Sequence, residues 1–238
     1  RLFYVLNEQG MLNDARVMAP ADVMIVPMTD DLEPSVRLAT GLRERGIRVL
    51  LDGVFNHTGR KSVYFNADGF YDDLGAAQGE QSPYYRWYNF HPFPDEYDAW
   101  WGIKNLPAVN ETEQSYVDYI IEGDNSIIKH WLRAGASGWR LDVADELPDE
   151  FIAKIRAAMN EENPDTYLLG EVWEDGTTKI AYSQRRKYLL GRETNGLMNY
   201  PFRTALMAYL LGGGAEYFRD SICLLYTSPS PRDYAASR

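Results

Sequence analysis

The chain has 238 residues, of which 45% are hydrophobic and 25% are charged, a balance typical of folded globular domains. A formal net charge of −11 argues against a nucleic-acid partner, because the phosphate backbone would be repelled. Cys223 is the one cysteine, which excludes an intramolecular disulfide framework and a cysteine-based zinc site. No stretch is long and apolar enough to suggest a membrane span.

Short apolar segments alternate with amphipathic segments along the chain, a pattern typical of an α/β fold with parallel strands. The predicted strands cover residues 22–27, 47–54, 139–143, 167–173 and 197–202. The predicted helices cover residues 32–45, 114–122, 126–134, 148–160 and 179–190, and a last helix ends at Gly212. Asn125 is the expected N-cap of the helix over 126–134.

Two segments interrupt this alternation. Residues 59–111 form a long irregular stretch, and insertions of that length are usually functional. It is rich in aromatic residues, which predict either platforms for sugar rings or a small core of the stretch itself: Tyr84, Tyr85, Trp87, Tyr88, Trp100 and Trp101. Residues 222–238 lose the alternation, so we expect a non-native or disordered tail without a function.

Carboxylates and an arginine occupy one face of otherwise apolar strands. Arg140 and Asp142 alternate with Trp139, Leu141 and Val143, so the charged pair shares a face. Glu171 lies near the end of the next strand, and Asp52, Asn56 and His57 lie at the end of an earlier one. Because catalytic residues of a parallel barrel meet at the carboxyl ends of its strands, we expect these side chains to share one rim.

Two carboxylates in different surroundings are typical of a retaining glycosidase. Arg140 is expected to keep Asp142 ionised, as a nucleophile requires, and apolar neighbours are expected to raise the pKa of Glu171, as an acid/base requires. The two carboxyl groups of such an enzyme lie about 5–5.5 Å apart. A buried structural ion pair is the competing interpretation, and it explains Arg140 with Asp142 but not the other residues.

Four short motifs, in order, resemble those of the α-amylase family of glycoside hydrolases, known as family 13. Residues 52–57 (DGVFNH), 138–142 (GWRLD) and 170–173 (GEVW) resemble its first three motifs. Residues 106–110 (LPAVN) resemble the motif near the end of the family's inserted domain B. The resemblance implies a (β/α)8 TIM barrel with domain B after strand three.

The resemblance also assigns roles at the catalytic centre. It implies that Asp142 is the nucleophile and Glu171 the acid/base. Arg140 would orient Asp142 and contact substrate, and Asp52 would support Arg140 from behind.

Further family positions point to substrate binding. His57 would bond the sugar in the cleaved subsite, and Asn56 and Trp173 belong to the same motifs as expected substrate-binding residues. Glu146 falls where the neopullulanase and cyclomaltodextrinase branch carries a residue that influences the leaving-group subsites. Asp145 departs from the asparagine of that branch.

Part of the family pattern is missing. The Asn-His-Asp of the fourth motif does not occur, and the chain has room for about five β/α units. We therefore expect a partial barrel of about strands two to six, built from residues 1–58 and 112–221, with domain B at 59–111. A chain of this kind is expected to be inactive as it stands.

The expected substrate is an α-1,4- or α-1,6-linked glucan, such as a maltooligosaccharide, cyclodextrin, pullulan or starch. The alternatives are a branching-type α-glucan transferase and a non-catalytic glucan-binding homologue. No cofactor is required; the resemblance allows Ca²⁺, with oxygen ligands from Asn56, Asp68, Asp72 and Asp73. No nucleic-acid or membrane partner is expected, a homodimer of a longer parent is allowed, and the compartment is left open.

Overall fold

A computed structural model describes residues 23–25, 33–181, 183–190 and 192–227. Five parallel strands form one sheet in the order β1-β2-β3-β4-β7. They are β1 (Val23–Ile25), β2 (Val49–Gly53), β3 (Gly138–Leu141), β4 (Tyr167–Gly170) and β7 (Gly196–Leu197). Between β4 and β7, the strands β5 (Ile180–Ala181) and β6 (Gln184–Arg185) pair as an antiparallel hairpin.

Within the described residues, six α-helices accompany the sheet. They are α1 (Glu33–Glu44), α2 (Gln114–Val117), α3 (Ile127–Arg133), α4 (Asp149–Glu162), α5 (Tyr200–Leu210) and α6 (Ala215–Thr227). A π-helical turn, Asp118–Glu122, continues α2. No helix among the described residues is long and apolar enough to cross a membrane.

The strand register confirms the predicted division of the two sheet faces. Leu51 pairs with Trp139, and Trp139 pairs with Leu168, which places three apolar side chains in one row. Asp52 pairs with Arg140 in the adjacent row on the opposite face. Parallel pairing in sequence order is what a strand-helix-strand barrel requires.

The core lies between the apolar row of the sheet and helices α3 and α4. It includes the fully buried residues Ile128, Leu141, Ile152, Ile155, Met159 and Leu168. At the start of β3, a Cβ on Gly138 would lie 1.9 Å from the carbonyl oxygen of Tyr167, and its φ is +151°. Glycine is therefore required there for β3 and β4 to approach each other.

The connection between β2 and α2, residues 54–113, has three short 3₁₀ turns, and its buried aromatics belong to the same hydrophobic core as helices α3 and α4. Trp87 and Tyr88 are buried against Phe65 and Tyr116, and Trp87 Nε1 donates to Ser115 Oγ at 3.0 Å. These two aromatics are therefore core residues and not exposed platforms, but they share the core of the rest of the chain and do not form one of the stretch alone. Trp101 differs, because it is 68% exposed.

Residues 179–190 are not the helix that their composition predicts. They form the β5–β6 hairpin and turns, and Ser183 has a φ of +59°. The buried side chains of Arg186 and Tyr188 hold this segment against its neighbours, so tertiary contacts override local helix propensity.

Three predicted boundaries also change. The strand predicted over 197–202 is only Gly196–Leu197, because Asn199 caps α5 and accepts from the Phe202 N–H at 3.0 Å. Ser126, not Asn125, caps α3 through its hydroxyl. The predicted tail begins inside α6, which continues to Thr227; the rest of the tail, the first predicted strand beyond Val23–Ile25, and residues 1–22 lie outside the described residues.

Candidate active site

Arg140 joins three carboxylates that come from three consecutive strands of the sheet. Its Nη1 lies 2.7 Å from Asp52 Oδ1 and also contacts Asp142, and its Nη2 lies 2.8 Å from Glu171 Oε1. The arginine side chain is only 10% exposed. The predicted convergence of Asp52, Arg140, Asp142 and Glu171 is therefore what the structure shows, and one guanidinium fork is what links them.

Glu171 follows β4 directly and is buried. Its Oε2 accepts from the Val143 N–H at 3.1 Å, and its Oε1 accepts from the Tyr200 hydroxyl at 3.0 Å. Val143 adopts a left-handed φ of +45°, which is rare for a β-branched residue. The turn after β3 is therefore strained at Val143, and this conformation places a backbone donor on the Glu171 carboxylate.

The pKa values of the two carboxyls are displaced opposite to the sequence expectation. Burial raises the pKa of Asp142 more than its contact with Arg140 lowers it, and the charge of Glu171 raises it further. Burial also acts to raise the pKa of Glu171, but donors from Val143, Trp173 and Tyr200 together with the charge of Arg140 bring it below its usual value. The expectation for Glu171 was wrong because Arg140 and several hydrogen-bond donors stabilise its carboxylate, whereas burial is the main cause of the raised pKa of Asp142.

Asn56 and His57 extend the site from the carboxyl end of β2. Asn56 Nδ2 donates to Glu146 Oε2 at 3.3 Å, which leaves Asn56 Oδ1 to accept from His57 Nδ1 at 2.8 Å. The proton of the neutral imidazole therefore sits on Nδ1, and Nε2 keeps its lone pair as an acceptor for a ligand hydroxyl. Burial lowers the pKa of His57 despite the charge of Glu146, which favours this neutral form.

The opposite wall of the site is aromatic. Trp173 is 61% exposed and lies edge-to-face with Trp101 at 6.5 Å between ring centroids, and Tyr200 is 6.0 Å beyond it. The cleft beside Trp101 and Trp173 measures about 300 Å³, at the lower end of the usual range for small-ligand sites, and Asn56, His57 and Tyr200 do not line it. Its lining residues are Trp100, Trp101, Asp142, Val143, Asp145, Glu146, Glu171, Trp173 and Glu174.

Sequence reasoning missed several residues of this site. The predicted strand over 197–202 includes Tyr200, so the sequence did not mark Tyr200 as a residue at a strand end. Asn199 followed closely by Pro201 is a helix-start signal that places Tyr200 there. Lys179 lies 2.9 Å from Asp145 Oδ2 and 2.6 Å from Glu174 Oε2, so it neutralises the acid that replaces the branch's asparagine.

Arg186 binds the backbone of the turn after β3. It pairs with Asp149 and donates to the Asp145 carbonyl oxygen at 2.9 Å and to the Leu147 carbonyl oxygen. No local sequence signal marks Arg186, because its partners lie about 40 residues earlier in the chain.

The four residues that the sequence suggests as calcium ligands do not form a shared site, because two of them have other partners and the other two are exposed. Asn56 is committed to His57 and Glu146, and Asp68 pairs with Arg60 at 2.5 Å. Asp72 and Asp73 are exposed in the long connection. Within the described residues, no group of three or more His, Cys, Asp or Glu side chains is arranged to hold a metal ion.

Comparison with known proteins places this geometry in context. Residues 25–218 match the family model described as alpha amylase, catalytic domain. An amylopullulanase of Thermoanaerobacter thermohydrosulfuricus is 36% identical over 202 residues, which are 76% of this chain and 13% of that protein. A cyclomaltodextrinase of a Bacillus species is 33% identical over 208 residues, 84% of this chain and 34% of that protein.

Solved structures give the same result. The acarbose-soaked debranching enzyme of Nostoc punctiforme matches with a TM-score of 0.61 and 32% identity, over 76% of this chain and 36% of that one. The chain thus spans from about an eighth to about a third of the length of the curated relatives that it matches.

Proposed function

Because the chain belongs to the α-amylase catalytic-domain family, we propose that it carries the nucleophile and acid/base of a retaining glycosidase that cleaves α-1,4- or α-1,6-linked glucans. The observation that carries the proposal is the contact of one arginine, Arg140, with both Asp142 and Glu171 from neighbouring strands. The printed names of the relatives, amylopullulanase and cyclomaltodextrinase, support a glucan substrate.

In the proposed reaction, the Asp142 carboxylate attacks the anomeric carbon and forms a glycosyl ester. The bond to the leaving-group oxygen breaks, and Glu171 gives that oxygen its proton. Glu171 then takes a proton from water, whose oxygen attacks the anomeric carbon and releases Asp142. Arg140 stabilises the carboxylate forms of both residues, and Tyr200 and the Val143 N–H hold Glu171 in place.

The same contacts make protonation of Glu171 the demanding step. The general acid must carry a proton, whereas Arg140, Val143 and Tyr200 favour its ionised form in the free site. Burial counters them, and a bound sugar that excludes water from the cleft strengthens that effect. Substrate binding is thus expected to raise the pKa of Glu171.

The remaining parts of the family architecture are part of this proposal. The five parallel strands are a contiguous part of a (β/α)8 barrel, and residues 59–111 correspond to domain B. The aromatic rings of this segment that pack on one another, such as Phe65 with Tyr88 and Phe90, support this assignment.

A slow-turnover label tests the proposal on the chain itself. The reagent is 5-fluoro-α-glucosyl fluoride, which glycosylates the nucleophile to give a covalent intermediate that is hydrolysed slowly. Incubation with it is expected to add one glycosyl group to the peptide that contains Asp142. Mass spectrometry of the digested protein reads the result, and the Asp142→Asn variant is the control. A glucan transferase would be labelled too, and the product formed with maltose as acceptor distinguishes it. Absence of label with retained maltohexaose binding would identify a non-catalytic homologue.

A further inference from the structure

Five side chains form a closed ring, and three of them, Trp100, Trp101 and Glu146, line the cleft. His57 contacts Asn56, Asn56 donates to Glu146, and Glu146 Oε1 accepts from Trp101 Nε1 at 2.9 Å. Trp101 stacks on Trp100, and Trp100 stacks on His57, each pair with ring centroids 5.0 Å apart. The ring links two parts of the long connection, residues 56–57 and 100–101, to the turn after β3.

Trp101 occupies an unusual place in this ring. Its side chain is 68% exposed although tryptophan is among the most apolar residues, and its φ of +51° is strained for a side chain of this size. One face of the indole stacks on Trp100 with an interplanar angle of 20°, Trp173 lies edge-to-face with it at 6.5 Å between ring centroids, and Trp101 lines the cleft. A strained tryptophan that stays largely exposed while it lines a cleft points to a ligand-contacting role.

We propose that Trp101 is an aromatic platform on which a glucosyl unit stacks, and that Glu146 is a positioning residue that acts through Trp101. The inference rests on the proposed function and specifies how the long connection takes part in it. A glucosyl ring presents apolar C–H faces and polar edges, which suits an exposed indole face beside carboxylates that accept hydroxyl protons. Asp145 and Glu174 line the same cleft and supply such acceptors.

Glu146 fits a positioning role because each of its oxygens already accepts a hydrogen bond. Oε1 accepts from Trp101 at 2.9 Å and Oε2 accepts from Asn56 at 3.3 Å. These bonds fix the indole against rotation about its side-chain torsions, which reduces the conformational entropy that binding would otherwise remove. Removing the carboxylate therefore weakens glucan binding by loosening Trp101.

The experiment is isothermal calorimetry of the full chain with maltohexaose, with a thermal melt of every variant. Trp101→Ala is expected to weaken binding roughly tenfold or more, which corresponds to about 1.4 kcal/mol. Phe70→Ala is the matched control, because Phe70 is an aromatic of the same connection that is 63% exposed and lies outside the cleft lining. It is expected to bind as the parent does.

A double-mutant cycle tests the role of Glu146. Trp101→Phe keeps a ring but loses the N–H, and we expect it to weaken binding about as much as Glu146→Ala, with the double variant no weaker than either. Glu146→Gln keeps an acceptor for Trp101 and is expected to restore binding. Additive losses would show that Glu146 contacts the sugar directly and would overturn the positioning role.

The two levels of the proposal fail in different ways. If the parent chain binds maltohexaose and Trp101→Ala binds equally well, the platform is wrong and the proposed function stands. If neither the parent nor any variant binds maltohexaose, the proposed function itself fails and the platform fails with it.

Discussion

The guanidinium of Arg140 approaches the carboxylate of Glu171 with 2.8 Å between Nη2 and Oε1, across the junction of two neighbouring strands. The same guanidinium contacts Asp52 and Asp142 through Nη1. One buried cation thus compensates three carboxylates. The stability of the rim and the protonation of its acids both depend on this residue.

Loss of Arg140 is expected to destabilise the fold strongly. Arg140→Ala leaves three partly buried carboxylates without their common partner, and breaking a buried ion pair typically costs roughly 3–5 kcal/mol. Urea denaturation followed by circular dichroism measures the change. Arg37→Ala, at an exposed position of α1, is the matched control and is expected to change the free energy of unfolding by less than about 0.5 kcal/mol. Equal effects of the two substitutions would contradict this account.

Tyr200 is expected to lower the pKa of Glu171. Its hydroxyl donates to Glu171 Oε1 at 3.0 Å and stabilises the ionised form, so Tyr200→Phe should raise that pKa. Carbon-13 NMR of glutamate side-chain carboxyls as a function of pH measures the titration, and Glu171→Gln identifies the signal. An unchanged titration midpoint would mean that the hydroxyl does not bond to the carboxylate in solution.

Glu193 is expected to make the fold less stable as the pH rises. Burial and the charge of Asp149 raise its pKa from 4.5 to about 7, against the opposing charges of Arg186 and Lys187. Between those pH values the unfolded chain releases a proton that the folded chain retains, so the free energy of unfolding decreases as the pH increases. Glu111, whose pKa burial also raises to about 7, acts in the same direction.

The substitution Glu193→Gln isolates this effect. It removes the ionisation and should stabilise the chain above pH 7 by roughly 2–3 kcal/mol relative to its effect at pH 4.5. Melting curves from pH 4.5 to 8 measure the slope. The exposed Glu150→Gln is the control, and a slope that Glu193→Gln leaves intact would assign the pH dependence to other groups.

Steady-state turnover by this chain is expected to be very low. The fourth family motif is absent from the sequence, and losing one preorganised transition-state group typically costs about 10²–10³ in kcat. Carboxylates held about an ångström out of place lose roughly another 10². In an assay of minutes with a chromogenic maltooligosaccharide, the rate of hydrolysis should therefore not exceed that of the Asp142→Asn control. The covalent label should still be detected, because it accumulates over a longer incubation. Gel filtration in parallel reports whether the chain is monomeric or dimeric.

The sequence by itself determined the elements whose pattern is local. Alternation along 139–143 placed Arg140 and Asp142 on one face, and the strand register bears this out through the pairing of Arg140 with Asp52. The family motifs indicated which strand ends would meet. These predictions succeeded because side chains alternate between the faces of a strand and parallel strands present their carboxyl ends at one edge.

Only the tertiary structure decided how the meeting residues share their bonds. The contact of Arg140 with Glu171, the donors from Val143 and Tyr200, and the bond from Trp101 to Glu146 join residues 28 to 45 positions apart. No periodicity records such contacts, and those made by Glu171 lower a pKa that its apolar neighbours were expected to raise. Tertiary contacts also explain why residues 179–190 form a hairpin and not the predicted helix. Lys179 and Arg186 bind the turn after β3, and these contacts override the local helix propensity.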